Sequence, residues 1–343
     1  MRSLVWSLLS LTASLTIDGC GRNEKDVITA TGGASGAGGP VDTDAGIGTD
    51  AGFADADGAL GNFVDINGMS IPQEKAIAFI HFGHSNMSGR GRSPASLRPY
   101  FFTDIDARAW MYHATGDKSG FHPAAEPHTA GDAVSQKNIT GGPGTPLVKQ
   151  AAAMAPGYHF ISVGFAAVTL QCEDYAPGSG NYNEVMAGPK ALAGKVTFAA
   201  IVVMLGITER HGNAQSIQNY PACMNSLITQ IRKDLSLPNL PLLLTDYEMT
   251  ARSDLGEDLA PTGSLGTQLI PRIHTIPSFL SKLHPINYMP PSGQNPAVAN
   301  SALVPTDGLS LVDDRHFELN SQKIWTQNLL DIMKEAGWFP WGN

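Results

Sequence analysis

From about Phe63 onward, short apolar runs alternate with helix-patterned stretches. KAIAFIHFG (75–83), YHFISVGF (158–165), TFAAIVVML (197–205), LPLLLTDYE (240–248) and SALV (301–304) read as strands. TPLVKQAAAMA (145–155), YNEVMAGPKALAGK (182–195), SIQNYPACMNSLITQIRKDL (216–235), LGTQLIPRIHTIPSFLSKL (265–283) and NSQKIWTQNLLDIMKEAG (320–337) read as helices. Pro221 falls near the first turn of its helix, and two prolines must shift or kink the 265–283 stretch. Strands alternating with helices imply βαβ units. The pattern therefore predicts an α/β domain with a mostly parallel, five-stranded sheet covered on both faces. One such domain is expected, over residues 63–343.

The N-terminal part has a different texture. MRSLVWSLLSLTASLTIDGCG places Arg2 before an apolar stretch, then small residues and Gly19-Cys20. This is a signal-peptide pattern, too short for a membrane span. A lipoprotein-type leader over 1–20 is expected, with Cys20 as the lipid anchor and an exported, envelope-bound or secreted chain as the consequence. Residues 21–62 are rich in Gly, Ala and Asp, with no apolar period, and read as a disordered tether. The chain has three cysteines. With Cys20 acylated, Cys172 and Cys223 remain, either as a pair or as two buried thiols.

Composition changes the picture little. Charged residues make up 15% and hydrophobic ones 42%, enough for a normal core. The net charge of −9 and the lack of a basic patch argue against nucleic acid as a partner.

In open parallel sheets, ligands bind beyond the carboxyl ends of the strands. The residues there are Gly83, His84, Ser85 and Asn86 after the first strand, and Ala166 to Thr169 after the second. Gly206 to Asn213 follow the third, and Asp246 to Glu248 the fourth. VDDRHF lies before the last helix. A serine needs a base, and the base an orienting acceptor. Ser85, His316 and Asp313, three residues before the histidine, supply these types at one sheet edge. His122, Glu126, His128 and Asp132 have a proline-broken spacing that gives no helix face for a metal, so a solvated loop is expected and no metal site. That loop belongs to a long insertion, residues 101–132, which could border the cleft. Asp246 and Glu248 are expected on a surface turn. The NMS at Asn86 fits a glycosylation acceptor only in form.

GHSNMSGRG (83–91) resembles the GQSNMxGRG block of the SGNH hydrolase superfamily, in particular the family 6 carbohydrate esterases and sialate O-acetylesterases. VDDRHF is similar to the family's closing Asp-x-x-His block, and residues 142–175 more loosely to its middle stretch. The resemblance runs from about Phe79 to the C-terminus. It implies a flavodoxin-like three-layer α/β/α sandwich and removal of acetyl or similar acyl groups from sugars or polysaccharides. The route it implies is an acyl-enzyme, without cofactor or metal. Ser85 would be the nucleophile, His316 the general base and acid, and Asp313 its orienter.

The chain departs from that pattern at the oxyanion hole. The family's GGT turn is here Ala167-Val168-Thr169, where a backbone N–H survives. Its QGESD block becomes Leu205-Gly206-Ile207-Thr208-Glu209, so the side-chain amide is replaced by leucine. Asn213 is a candidate substitute donor. His84, Asn86 and Glu209 are candidate substrate contacts. Two functions follow: an esterase with a modified oxyanion hole, or a carbohydrate-binding protein that kept the fold and lost efficient catalysis.

Overall fold

The structure is a computed structural model that describes residues 62–87, 104–114, 119–125, 142–166, 171–206, 209, 214–246, 272–273, 275, 301–304, 306, 309 and 317–338. The strands are β1 (Phe63–Ile66), β2 (Met69–Pro72), β3 (Ala76–Gly83), β4 (Ala109–His113), β5 (Gly120–Pro123), β6 (His159–Ala166), β7 (Thr197–Met204), β8 (Leu242–Thr245) and β9 (Ser301–Val304). The helices are α1 (Gly144–Met154), α2 (Gly180–Leu192), α3 (Ala214–Asp234) and α4 (Leu319–Glu335). A short 3-10 helix covers Cys172–Tyr175.

The main sheet has the order β5-β4-β6-β3-β7-β8-β9. Every neighbouring pair in it is parallel except β4 with β5. The strand β3 lies near the centre, and all eight of its residues are buried. This is why AIAFIHFG carries no polar–apolar alternation: both faces are covered. Helices α1 and α4 pack against each other, and α1 also packs on β6 and β4. Helix α2 lies against β6 and β3, with Gly188 set against Val163. It is joined to α3 where the Tyr182 hydroxyl donates to Asp234 Oδ2 at 2.9 Å. The layers are helix, sheet, helix, as expected.

The sheet has seven strands where the apolar runs suggest five. The two additional strands, β4 and β5, form an antiparallel pair in the stretch expected as a loop. AWMYH and GFHP are too short to show a period. They become strands because β6 offers an open edge that β4 fills, burying Ala109, Trp110 and Met111. Pro123, which has no N–H to donate, is tolerated because β5 is the edge. Outside the main sheet, β1 and β2 form a hairpin around Asn67 (φ 52°) and Gly68 (φ 86°). An Asn-Gly pair suits this turn because both positions need positive φ.

Phe79, Phe82 and Phe160 are fully buried in the larger core cluster, each contributing about 1.5–3 kcal/mol of burial. One polar pair lies among them. The Ser162 hydroxyl and His81 Nε2 are 2.5 Å apart, and His81 is 1% exposed. Glycines make room for this ring: a Cβ at Gly164 would overlap it, and one at Gly144 would come within 3.3 Å. Burial, with the charge of His113 adding to it, pushes the His81 imidazole down to about 3, so it stays neutral in the fold.

Candidate active site

Strand β3 ends where Gly83 crosses the backbone of β7. A Cβ at Gly83 would overlap the Met204 carbonyl, so only glycine allows this approach. The same carbonyl accepts the His84 N–H at 3.2 Å. The chain then turns: Met87 N donates to His84 O at 2.9 Å, and Asn86 N donates to His84 Nδ1 at 3.2 Å. His84 and Asn86 are buried, and Ser85 between them is half-buried. The glycine-loosened turn thus holds its two polar neighbours inward. Burial of Asn86 also removes it as a glycosylation acceptor.

The Asn86 side chain reaches across the sheet edge. Its Oδ1 accepts the backbone N–H of Phe317 at 2.9 Å. Phe317 is buried, and it stands two residues before α4. One residue past Ser85 is therefore bonded to one residue past His316. Asp313 and His316 themselves lie outside the described residues, as do Ala167 and Asn213.

Cys172, beyond the end of β6, and Glu209, beyond the end of β7, are joined by a hydrogen bond. Glu209 is fully buried, and its Oε1 accepts the Cys172 N–H at 2.6 Å. Its second oxygen, Oε2, is buried with no hydrogen-bond partner among the described residues. Burial pushes the carboxyl up to about 7. The N–H groups of Glu209 itself and Cys172 pull it down, the charge of Glu173 pushes it further up, and the Gly206 N–H pulls down. A carboxyl expected as a substrate contact is thus held inside, bonded to the neighbouring loop. Leu205 is fully buried, and its carbonyl accepts the Tyr220 hydroxyl at 2.8 Å.

Cys172 and Cys223 are joined by a disulfide, with Cα atoms 6.1 Å apart. The alternative of two buried thiols is therefore set aside. Tyr175, on the same 3-10 helix as Cys172, donates its hydroxyl to the Gly83 carbonyl at 2.7 Å. Sequence reasoning passed over both tyrosines. A tyrosine three residues from a cysteine carries no chemical signature until the carbonyl it meets is known. Asp246, expected on a surface turn, is instead 4% exposed, with its N–H donating to Val304 O at 2.9 Å. His122 lies on β5 with its ring edge-on to His113, centroids 5.4 Å apart. Its proposed loop neighbours Glu126, His128 and Asp132 are outside the described residues.

The model of a family described as "Carbohydrate esterase, sialic acid-specific acetylesterase" matches residues 75–335. No curated protein matches the chain. Among solved structures, a protein from Arabidopsis thaliana is similar at TM-score 0.54 and 18% identity, covering 75% of this chain and 97% of that one. NanS is similar at TM-score 0.51 and 12% identity, covering 77% and 99%. A carbohydrate acetylesterase from Xanthomonas citri is similar at TM-score 0.50 and 14% identity, covering 78% of this chain and 57% of the other. At these identities the likeness is one of fold.

Proposed function

Because the chain belongs to the carbohydrate esterases of the sialic acid-specific acetylesterase family, and is by that membership a carboxylic ester hydrolase, we propose that it removes acetyl or similar short acyl groups from carbohydrate through a Ser85–His316–Asp313 triad. The observation that carries this reading is the hydrogen bond from Phe317 N to Asn86 Oδ1. It ties the serine turn to the segment that bears the histidine, which a serine–histidine pair requires.

Ser85 Oγ attacks the acyl carbonyl while His316 takes its proton, and Asp313 holds the imidazole in the right tautomer. The C–O bond to the sugar breaks as the imidazolium returns the proton to the departing alcohol. A water then gives its proton to His316, attacks the acyl-enzyme and releases the carboxylic acid and free serine. The oxyanion is held by the backbone N–H of Ser85 and that of the Ala167 turn, with Asn213 as the candidate for a third donor. No metal or organic cofactor takes part in this route. The partner is an acylated sugar or polysaccharide.

Export, with a lipid anchor at Cys20, is part of the same reading. It is supported by the Cys172–Cys223 disulfide, since such bonds persist in oxidising compartments. The second reading, a carbohydrate-binding protein of weak catalytic power, is favoured by Leu205. Losing one oxyanion donor costs about 3 kcal/mol of transition-state stabilisation.

The test is acetate release from p-nitrophenyl acetate and acetylated xylan by wild type beside Ser85→Ala. We expect Ser85→Ala to fall by at least about a thousandfold in kcat. Equal rates in the two proteins would overturn the triad. No release by folded wild type would favour the binding reading.

A further inference from the structure

Two tyrosines and one disulfide close a ring through the ends of β3 and β7, where the Ser85 turn begins. On a 3-10 helix, residues three apart eclipse each other, so Cys172 and Tyr175 share one side. On α3, Tyr220 and Cys223 are also three apart and share a face. The disulfide joins these two sides. From one side, the Tyr175 hydroxyl reaches Gly83 O, and from the other the Tyr220 hydroxyl reaches Leu205 O. Those carbonyls are at the ends of β3 and β7, which are adjacent strands joined there by His84 N to Met204 O.

The 3-10 helix is itself held at its start. Gln171 N donates to Asp174 Oδ2 at 2.7 Å, a reciprocal cap, and Cys172 N donates to Glu209 Oε1. Tyr175 is fully buried, its ring tilted against Phe82 at 5.5 Å between centroids. Its hydroxyl therefore has a fixed origin. Gly83 is the point it grips, two residues before Ser85. Glycine there is required by the close approach to Met204, so the chain has no side chain of its own at that residue to restrict it. The peptide leaving β3 is held on both sides, its N–H by Met204 O and its carbonyl by the Tyr175 hydroxyl.

We propose that Tyr175 is a positioning residue for the esterase reaction. It orients the Ser85 turn through the Gly83 carbonyl, and the Cys172–Cys223 disulfide holds it in place. The proposal rests on Ser85 being the nucleophile, as argued above. Such a residue touches no substrate, so it affects the rate of the bound complex and leaves ground-state binding alone.

The experiment compares wild type, Ser85→Ala, Tyr175→Phe and Tyr182→Phe on p-nitrophenyl acetate, with a thermal melt of each. Tyr182→Phe removes a hydroxyl bonded to Asp234, whereas the Gly83 and Leu205 carbonyls are bonded by Tyr175 and Tyr220. We expect Tyr175→Phe to lose roughly ten- to a hundredfold in kcat with KM unchanged, and Tyr182→Phe to keep wild-type kcat. Wild type assayed after reduction of the disulfide, and while still folded by circular dichroism, should lose kcat in the same direction. Wild-type kcat in Tyr175→Phe, or a loss carried by KM, overturns the proposal while Ser85-dependent turnover still stands. Undiminished kcat in the reduced protein overturns the part assigned to the disulfide. Equal turnover by wild type and Ser85→Ala would instead overturn the nucleophile assignment, and this proposal with it.

Discussion

Glu209 shows how far a single side chain can move from its expected role. By position, at the end of a strand and among polar residues, it suggests a substrate contact. Burial makes it a carboxyl that holds its proton up to about pH 7. This has a consequence for stability. The folded value lies above the ordinary value of 4.5, so between the two the folded chain binds a proton that the unfolded chain has lost. Stability then falls as pH rises. The contribution of neutral Glu209 is complete below pH ~4.5 and gone above about pH 7. Glu209→Gln keeps an oxygen for the Cys172 N–H and cannot ionise. Melting wild type and Glu209→Gln at pH 5 and pH 8 should show the variant gaining on wild type at the higher pH. A difference in melting temperature that does not change with pH would contradict a buried, titrating carboxyl.

At the scale of elements, the site depends on how the end of β3 meets the start of α4. These two segments are 231 residues apart in the chain, joined by the Asn86 amide and the Phe317 N–H. Asn86→Ala leaves a buried N–H without that acceptor, at a cost of about 1–3 kcal/mol. The loss should also shift the segment that includes His316. A lowered melting temperature together with at least a tenfold fall in kcat is therefore expected. A variant that melts earlier but turns over normally would show that the bond serves stability alone. Element pairing also explains what the apolar pattern missed. The strand β4 gains its burial from the edge of β6 and β5 pairs on β4, so neither depends on a periodicity of its own. By contrast, the hairpin of β1 and β2 is announced locally by Asn67-Gly68, and attention to that dipeptide would have found it.

At the scale of the whole molecule, the family match begins at residue 75 and the second of the chain's two units at Gly58. A chain starting at Gly58 is expected to hydrolyse p-nitrophenyl acetate with kcat within about twofold of the full chain and to melt at the same temperature. A large loss of either would assign the N-terminal residues a part in the catalytic domain. No helix among the described residues is long and apolar enough to cross a membrane.

The layered α/β architecture and the serine block were legible in the sequence because both are local. Continuous apolar runs report burial on both faces, alternation with helices reports a parallel sheet, and GHSN stands directly after a strand. The central place of β3, the seventh and sixth strands, and the neutral Glu209 were decided only by tertiary structure. So were the choice of a disulfide over two thiols and the grip of Tyr175 on Gly83. The physical reason is the same in each case. A strand's neighbour, a carboxyl's solvation and a hydroxyl's acceptor come from residues far away in the chain, such as the 92 positions between Tyr175 and Gly83. No local pattern encodes them.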